Sequence, residues 1–149
     1  MKIVFLDVDG VLNTSATWGG YGLHQPCVMA LIRLIERTGA KIVVSSTWRL
    51  HAYDMLIERL TEAGLPAGTI IDRTPHLISE YGRVRGAVPR GREIAAWLAG
   101  NPPVESFVIL DDGDDMEHLT PHLIRTSMER GLTDGLVDRV AGILDRKAA

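Results

Sequence analysis

The sequence has a single cysteine, Cys27, and it lacks any apolar run close to the roughly 18 residues that a membrane span needs. One cysteine excludes an intrachain disulfide framework and a zinc site built from several cysteines. Asp7 and Asp9 interrupt the apolar stretch at the N-terminus, which is atypical of a signal peptide. We therefore expect a cytoplasmic protein that makes no use of a membrane.

A strong charge of one sign is also absent. The 16 Lys and Arg residues against 19 Asp and Glu residues give a net charge of −3, which does not indicate a general nucleic-acid binder. Hydrophobic residues make up 46% and charged residues 23%, as is typical of globular proteins. The length of 149 residues suits one domain over residues 1–149, and nothing indicates an obligate protein partner.

Short runs rich in Val and Ile alternate with amphipathic stretches along the chain. The apolar runs predict strands at residues 2–8, 41–45, 69–71, 104–110 and 122–126. Helical periodicity predicts helices at residues 26–38, 53–63, 91–99 and 133–144, the last capped by Thr133. Strands without alternation are typical of parallel sheets covered on both faces. The pattern predicts an α/β fold, a doubly wound, Rossmann-like three-layer sandwich around a mainly parallel five-stranded sheet.

Polar side chains follow three of these strands at the point where each strand ends. The first strand ends around Asp7 and Asp9, the second ends at Ser45, and Asp111 and Asp112 follow the later long one. In a doubly wound sheet, ligands bind outside the carboxyl ends of the strands. Carboxylates brought together there repel one another, and a hard divalent cation with oxygen ligands relieves that repulsion. The sequence therefore predicts a Mg²⁺ site at this edge of the sheet.

Four short motifs carry a resemblance to a known superfamily. They are FLDVDGVLN at residues 5–13, VVSSTWR at 43–49, RGREIAAWL at 90–98 and ILDD at 109–112. The chain resembles capless phosphatases of the haloacid dehalogenase (HAD) superfamily, and more narrowly HAD domains that occur alone or fused in RNA-repair proteins. The adjacent aspartates also resemble the phosphatase half of polynucleotide kinase–phosphatases. The resemblance implies a HAD-like fold without a substantial cap domain, and hydrolysis of a phosphate monoester.

The resemblance also implies roles for the acidic residues. Asp7 would be the nucleophile that forms an aspartyl-phosphate, and Asp9 the acid that protonates the leaving oxygen and then deprotonates water. Superfamily members that cleave carbon–halogen bonds lack an acid at the position of Asp9, which favours phosphate esters. The implied Mg²⁺ ligands are the Asp7 side chain, the Asp9 backbone carbonyl and an acid of the fourth motif. Asp111 matches this acid, with Asp112 as the alternative.

Other residues of the motifs are implied to contact the substrate phosphate. Ser45 matches the hydroxyl of the second motif, which would donate a hydrogen bond to a phosphate oxygen, and Ser46 is the alternative. Gly10 belongs to the first motif and Arg49 follows the second. We expect both of these residues in the substrate-binding part of the site.

An arginine stands where the superfamily normally has the lysine of its third motif. The three lysines of this chain lie elsewhere, and Arg90 takes the position, with Arg92 as the alternative. Arginine carries the required charge, but it is bulkier than lysine and not equivalent to it. Arg83 and Arg85 precede this pair, and the four arginines form either a basic rim that engages further phosphates or an ordinary solvated loop.

The predicted site is open, because residues 65–90 have the Pro- and Gly-rich composition of a loop rather than that of a lid domain. An open site admits small phosphorylated molecules and nucleic-acid ends. Trp18, Tyr21 and Trp48 are either stacking faces for a base or ordinary packing residues. The alternative function is a catalytically weak HAD-fold protein that binds phosphate or nucleic acid, which the missing lysine allows. A phospho-receiver is disfavoured, because its adjacent acids follow the first strand.

Overall fold

The computed structural model of the chain describes residues 1–77 and 88–146. Within them, five strands form one sheet: β1 (Lys2–Leu6), β2 (Lys41–Val44), β3 (Ile70–Arg73), β4 (Ser106–Asp111) and β5 (Leu123–Arg125). Their order across the sheet is β3-β2-β1-β4-β5, and every neighbouring pair is parallel. The predicted α/β, Rossmann-like fold is confirmed, and the described sheet is entirely rather than mainly parallel.

The described helices alternate with these strands along the chain, and the last helix follows β5. They are α1 (Gln25–Thr38), α2 (Trp48–His51), α3 (Tyr53–Ala63), α4 (Arg90–Gly100) and α5 (Asp134–Leu144), with a 3₁₀ helix over Glu117–His122. None of the helices in the described ranges is long and apolar enough to cross a membrane. The predicted cap is confirmed for α5, where the Thr133 hydroxyl accepts a hydrogen bond from the Leu136 amide.

The side chains of β1 show why the strands are apolar without alternation. Val4 and Leu6 belong to the core on one face of the sheet, which α1, α3 and α5 cover. Ile3 and Phe5 belong to the core on the opposite face, which α4 and the 3₁₀ helix cover. Successive side chains of a strand point to opposite faces, so a strand covered on both faces must be apolar throughout. The sheet with helices packed on both of its faces forms the predicted three-layer sandwich.

The other predicted strands lie within two residues of the observed bounds, and two local differences from the sequence prediction have a clear structural reason. The first strand ends at Leu6 rather than at residue 8, because the Val8 carbonyl accepts hydrogen bonds from the amides of Val11 and Leu12 in a tight turn. The short helix α2 has no counterpart among the predicted helices. Four residues are too few to show a helical period in the sequence.

The order of the strands defines where the sheet changes direction. From β1 the chain moves through β2 to β3 on one side, and then returns to place β4 on the other side of β1. The topological switch point therefore lies between β1 and β4. In open α/β sheets the crevice at this point, outside the carboxyl ends of the strands, is the usual ligand site.

Candidate active site

The ends of β1 and β4 bring two aspartates together at the switch point. Leu6 pairs with Leu110 in the parallel register, and the Asp7 amide donates a hydrogen bond to the Leu110 carbonyl at 3.0 Å. Asp7 and Asp111 are the next residues along these two strands, so they lie side by side. Ser45 joins them from β2, since its amide donates to the Leu6 carbonyl at 3.0 Å.

Three carboxylates form a compact group, which we call the carboxylate cluster: Asp7, Asp111 and Asp112. Each offers one oxygen atom, and these atoms lie within 4.8 Å of one another. Asp7 and Asp111 are buried, with 6% and 4% of their surface exposed. Burial, together with the charge of Asp111, raises the pKa of Asp7 to about 8, and burial also raises the pKa of Asp111. The cluster thus favours any positive charge that enters it.

Arg90 supplies such a charge from the first residue of α4. Its Nη1 donates to Asp7 Oδ1 at 2.9 Å and lies 3.3 Å from Asp111 Oδ2. Burial by itself lowers the pKa of Arg90, but the two carboxylates hold that pKa above its ordinary value. Arg90 thus places its guanidinium against both buried carboxylates.

The start of α4 is held close to the loop that follows β4. The Arg90 amide donates to Asp115 Oδ2 at 3.1 Å, and the Gly91 amide donates to the Asp115 carbonyl at 3.0 Å. A Cβ atom at Gly91 would lie 2.2 Å from the Met116 carbonyl oxygen, so only glycine permits this approach. The Arg-Gly pair of the sequence therefore fixes where the guanidinium lies.

The turn after β1 positions Asp9. Asn13 is buried, and its Nδ2 donates to Asp9 Oδ1 at 2.8 Å while its Oδ1 accepts from the Gly10 amide at 2.9 Å. Gly10 has a φ of +80°, and a Cβ atom there would lie 2.6 Å from Asp112 Cγ. Gly10, which we expected in the substrate-binding part of the site, lets Asp112 approach the turn, and its amide is bonded to Asn13.

Sequence reasoning missed Asn13. The residue stands at the end of the first motif, and the only sequence signal was its position four residues after Asp9. Asn side chains commonly bond backbone groups of a turn, and here the bond to the Gly10 amide brings the other end of the Asn13 amide to Asp9.

The two serines after β2 differ in their hydrogen bonds. The Ser45 hydroxyl is fully buried and has no hydrogen-bond partner among the described residues. A buried hydroxyl without a partner is costly, and such an atom is typical of a place where a ligand completes the bonding. The Ser46 hydroxyl instead accepts from the amide of Trp48, the first residue of α2, at 3.1 Å. The Ser45 hydroxyl has no protein partner, which favours Ser45 over Ser46 as the donor of a hydrogen bond to the substrate phosphate.

The expected substrate contact of Arg49 is not what the structure shows. The side chain is 2% exposed, and its guanidinium donates five hydrogen bonds. Four go to backbone carbonyls and one goes to Glu93 Oε2 at 2.9 Å. A guanidinium has five N–H donors, so none is left for a substrate. Arg49 instead joins the loops after β2 and β3 to α4.

Arg92 also lies apart from the cluster. Its side chain is exposed, and its Nε donates to Glu117 Oε1 at 2.9 Å. The structure therefore does not support Arg92 as a substrate contact and favours Arg90 for the third motif. Arg83 and Arg85, the other members of the predicted basic rim, lie outside the described residues.

A comparison with protein families decides the family to which this fold and site belong. The family described as the HAD domain in Swiss Army Knife RNA repair proteins matches residues 3–137. The chain belongs to that family. The match runs from β1 into α5, so this HAD domain includes the carboxylate cluster, Ser45 and Arg90. A comparison with curated proteins gives no match.

Proposed function

We propose that the chain is a Mg²⁺-dependent phosphatase that hydrolyses phosphate monoesters through an aspartyl-phosphate on Asp7. The observation that carries this proposal is the buried carboxylate cluster with Arg90 against two of its members. Buried like charges are costly, and they are typical of sites where a cation and an anionic substrate meet. Membership in a HAD family supports the same activity.

The donor set of the site fits Mg²⁺. Carboxylate oxygens are the ligands that this ion prefers, and the cluster offers three of them within 4.8 Å of one another. The proposed ligands are the side chains of Asp7, Asp111 and Asp112 and the backbone carbonyl of Asp9. When bound, Mg²⁺ neutralises charge on the phosphate oxygens, so that an anionic nucleophile can approach phosphorus.

The first step forms the covalent intermediate. The Asp7 carboxylate attacks phosphorus, and the bond between phosphorus and the ester oxygen breaks. The Asp9 carboxyl donates its proton to that oxygen, so the leaving group departs as an alcohol. Arg90 and the Ser45 hydroxyl donate hydrogen bonds to the phosphate oxygens as charge develops on them.

The second step releases the phosphate. The Asp9 carboxylate takes a proton from a water molecule, whose oxygen attacks the aspartyl-phosphate. The bond between phosphorus and the Asp7 oxygen breaks, which frees inorganic phosphate and restores both side chains. The hydrogen bond from Asn13 holds the Asp9 carboxyl in one orientation during both proton transfers.

The proposed substrates are phosphorylated nucleotides and nucleic-acid ends. The family description refers to RNA repair proteins, which supports a phosphate at the end of a nucleic acid. Small phosphate esters that reach the same crevice are substrates under the same mechanism. A cytoplasmic location and a single domain over residues 1–149 stay predictions of the sequence.

The first experiment is phosphate release from para-nitrophenyl phosphate, with Mg²⁺ and with EDTA. Wild type is compared with Asp7→Asn, and Asp114→Asn serves as the matched control because Asp114 is exposed and lies outside the cluster. We expect release that requires both Mg²⁺ and Asp7 and that is retained in Asp114→Asn. Release that persists in Asp7→Asn contradicts the nucleophile. Oligonucleotides with 3′- and 5′-phosphates then follow beside small esters.

A second candidate function is a HAD-fold protein that binds phosphate with little turnover. Arg90 in place of the usual lysine favours it, because the larger guanidinium is held by two carboxylates. Calorimetric titration with inorganic phosphate separates the two candidates when no hydrolysis is found. Binding that depends on Mg²⁺ supports the binding protein, and absence of binding contradicts both candidates.

A further inference from the structure

A groove lined by aromatic side chains opens directly beside Asp9. We call it the aromatic groove and define it by Asp9, Trp18, Tyr21, Trp48 and His51. Its volume is about 200 Å³. Trp18 is 63% exposed, which is unusual for so large an aromatic side chain. The mechanism above gives the aromatic side chains of this groove no task.

The groove is held in shape by contacts around Tyr21. The Tyr21 ring packs edge-to-face on Trp48 with 5.1 Å between ring centroids, and its hydroxyl lies 3.2 Å from His51 Nδ1. The Tyr21 carbonyl accepts a hydrogen bond from Arg59 in α3. The loop that carries Trp18 is thus fastened to two helices. A wall formed before binding reduces the entropy that a ligand loses on entry.

The groove is connected to the reacting groups through Asn13. The Asn13 Nδ2 donates to Asp9 Oδ1 at 2.8 Å and lies 3.3 Å from the carbonyl oxygen of Gly22. Gly22 directly follows residues 18–21, the loop that lines the groove. The carboxyl that protonates the leaving oxygen and the loop that lines the groove therefore share one anchor. A leaving group whose oxygen lies at Asp9 has its remainder at the mouth of this groove.

The lining indicates what kind of leaving group fits. Trp18 and Tyr21 provide exposed ring surfaces above the buried Trp48, and the described lining includes no lysine or arginine. The groove therefore suits an uncharged planar ring rather than a second phosphate. The Thr47 hydroxyl and the His51 imidazole add polar groups that can bond to the N–H and carbonyl edge of a ring. A plain phenol ring has no such edge.

We propose that the aromatic groove binds the base of a nucleoside leaving group by stacking, so that the substrate is a nucleoside monophosphate or a terminal nucleotide. Pockets for drug-sized ligands have volumes of about 300–1,000 Å³, so a groove of about 200 Å³ suits one base. Stacking on aromatic side chains tolerates different bases, because every base has a π-face. The assignment of the base to the leaving group rests on the proposed phosphatase mechanism.

The kinetic test compares substrates that differ by the base alone. We measure kcat/KM for adenosine 5′-monophosphate, adenosine 3′-monophosphate and ribose 5-phosphate in wild type, Trp18→Ala and Trp18→Phe. Trp18→Ala is expected to lower the kcat/KM for each nucleotide, divided by the kcat/KM for ribose 5-phosphate, about 5- to 100-fold. Trp18→Phe is expected to retain most of this preference. Ile71→Ala is the control, because it removes an exposed apolar side chain on the edge strand β3.

The proposal is overturned when Trp18→Ala leaves unchanged the kcat/KM for the nucleotides relative to that for ribose 5-phosphate. A phosphotyrosine peptide is the third class of probe, and a loss confined to that peptide assigns the groove to protein substrates instead. The two adenosine phosphates distinguish a 3′- from a 5′-phosphorylated end, since the groove favours the one that places its ester oxygen at Asp9.

A binding test separates failure of this proposal from failure of the phosphatase mechanism. When wild type hydrolyses none of the esters, the mechanism is overturned, and the groove is judged by calorimetric titration with adenosine 5′-monophosphate and ribose 5-phosphate in Mg²⁺. We expect the nucleotide to bind at least 5-fold more tightly, and Trp18→Ala to abolish that difference. Equal affinity of wild type for the two ligands overturns the base site.

Discussion

Asn13 holds Asp9 and the Gly10 turn together with one side-chain amide. Its Nδ2 donates to the Asp9 carboxylate at 2.8 Å, and its Oδ1 accepts from the Gly10 amide at 2.9 Å. The acid that moves protons in the proposed mechanism is therefore fixed in orientation by a residue that does not itself react. Such a positioning residue acts through the geometry of the group that it holds.

Replacing Asn13 by alanine is expected to lower kcat about 10- to 100-fold with little change in KM, because a misplaced acid slows proton transfer more than it weakens phosphate binding. Steady-state kinetics at saturating Mg²⁺ measure the two constants separately. Asn13→Asp retains the acceptor for the Gly10 amide but replaces the donor to Asp9 by a carboxylate, so it tests loss of the second bond together with the repulsion that the new charge adds. The positioning role is contradicted when, in both variants, the loss of kcat is accompanied by a matching loss in the free energy of unfolding.

Arg90 and Arg92 offer a matched pair of substitutions in the same helix. Arg90→Ala is expected to slow hydrolysis about 100-fold, because it removes the hydrogen-bond donor at Asp7 and the charge beside the phosphate. Arg92→Ala is expected to stay near the wild-type rate, since its guanidinium pairs with Glu117 at the surface. Phosphate release under identical conditions compares them, and the reverse order assigns the third motif to Arg92. Arg90→Lys tests whether charge alone suffices.

Asp7→Asn is expected to change how stability depends on pH in the protein freed of metal by EDTA. Burial raises the pKa of Asp7 to about 8 in the folded chain, from about 3.8 when unfolded. The folded state therefore binds the extra proton between these values, and wild type loses stability as the pH rises through this range. Asparagine cannot ionise, so the excess in Tm of Asp7→Asn over wild type should grow from pH 5 to pH 8.

Thermal unfolding at both pH values, with and without Mg²⁺, checks this prediction. Added Mg²⁺ should raise the Tm of wild type more than that of Asp7→Asn, since the variant lacks one carboxylate of the cluster. A Tm difference that stays constant across the pH range contradicts the buried, repelled carboxylate.

Arg49→Met is expected to lower the free energy of unfolding by about 3–5 kcal/mol, because it leaves Glu93 buried without its ion-pair partner. Arg33→Met is the control, since the pair of Arg33 with Asp134 lies at the surface and contributes less than about 1 kcal/mol. Urea unfolding measures both variants. A raised KM with an unchanged free energy of unfolding would restore Arg49 to the substrate contacts.

The fold and the acidic part of the site were predictable from the sequence because their signals are local. Apolar runs without alternation identified the buried strands, and the acids directly after β1 and β4 had to meet where the carboxyl ends of these strands lie side by side. Asp7 and Asp111 therefore lie together as expected. The short helix α2 carried no such signal, because its four residues do not complete a period.

The roles of the arginines depended on contacts between distant parts of the chain. Arg90 and Arg92 are two positions apart in a helix, which turns their side chains to nearly opposite sides. Their sequence alone does not say which one faces the cluster, and the close approach of Gly91 to Met116 decides it. Arg49 ends the VVSSTWR motif, yet carbonyls of two loops and Glu93 take up all its donors.

The sequence by itself therefore determined the types of the elements, the parallel sheet and the acids at its edge, since each depends on neighbouring residues. Tertiary packing decided which charged side chain enters the cluster, which one is buried for stability, and that Trp18, Tyr21 and Trp48 border one groove beside Asp9. Those outcomes depend on how helices and loops rotate against the sheet. That rotation is set by contacts between residues far apart in the chain, which no local pattern records.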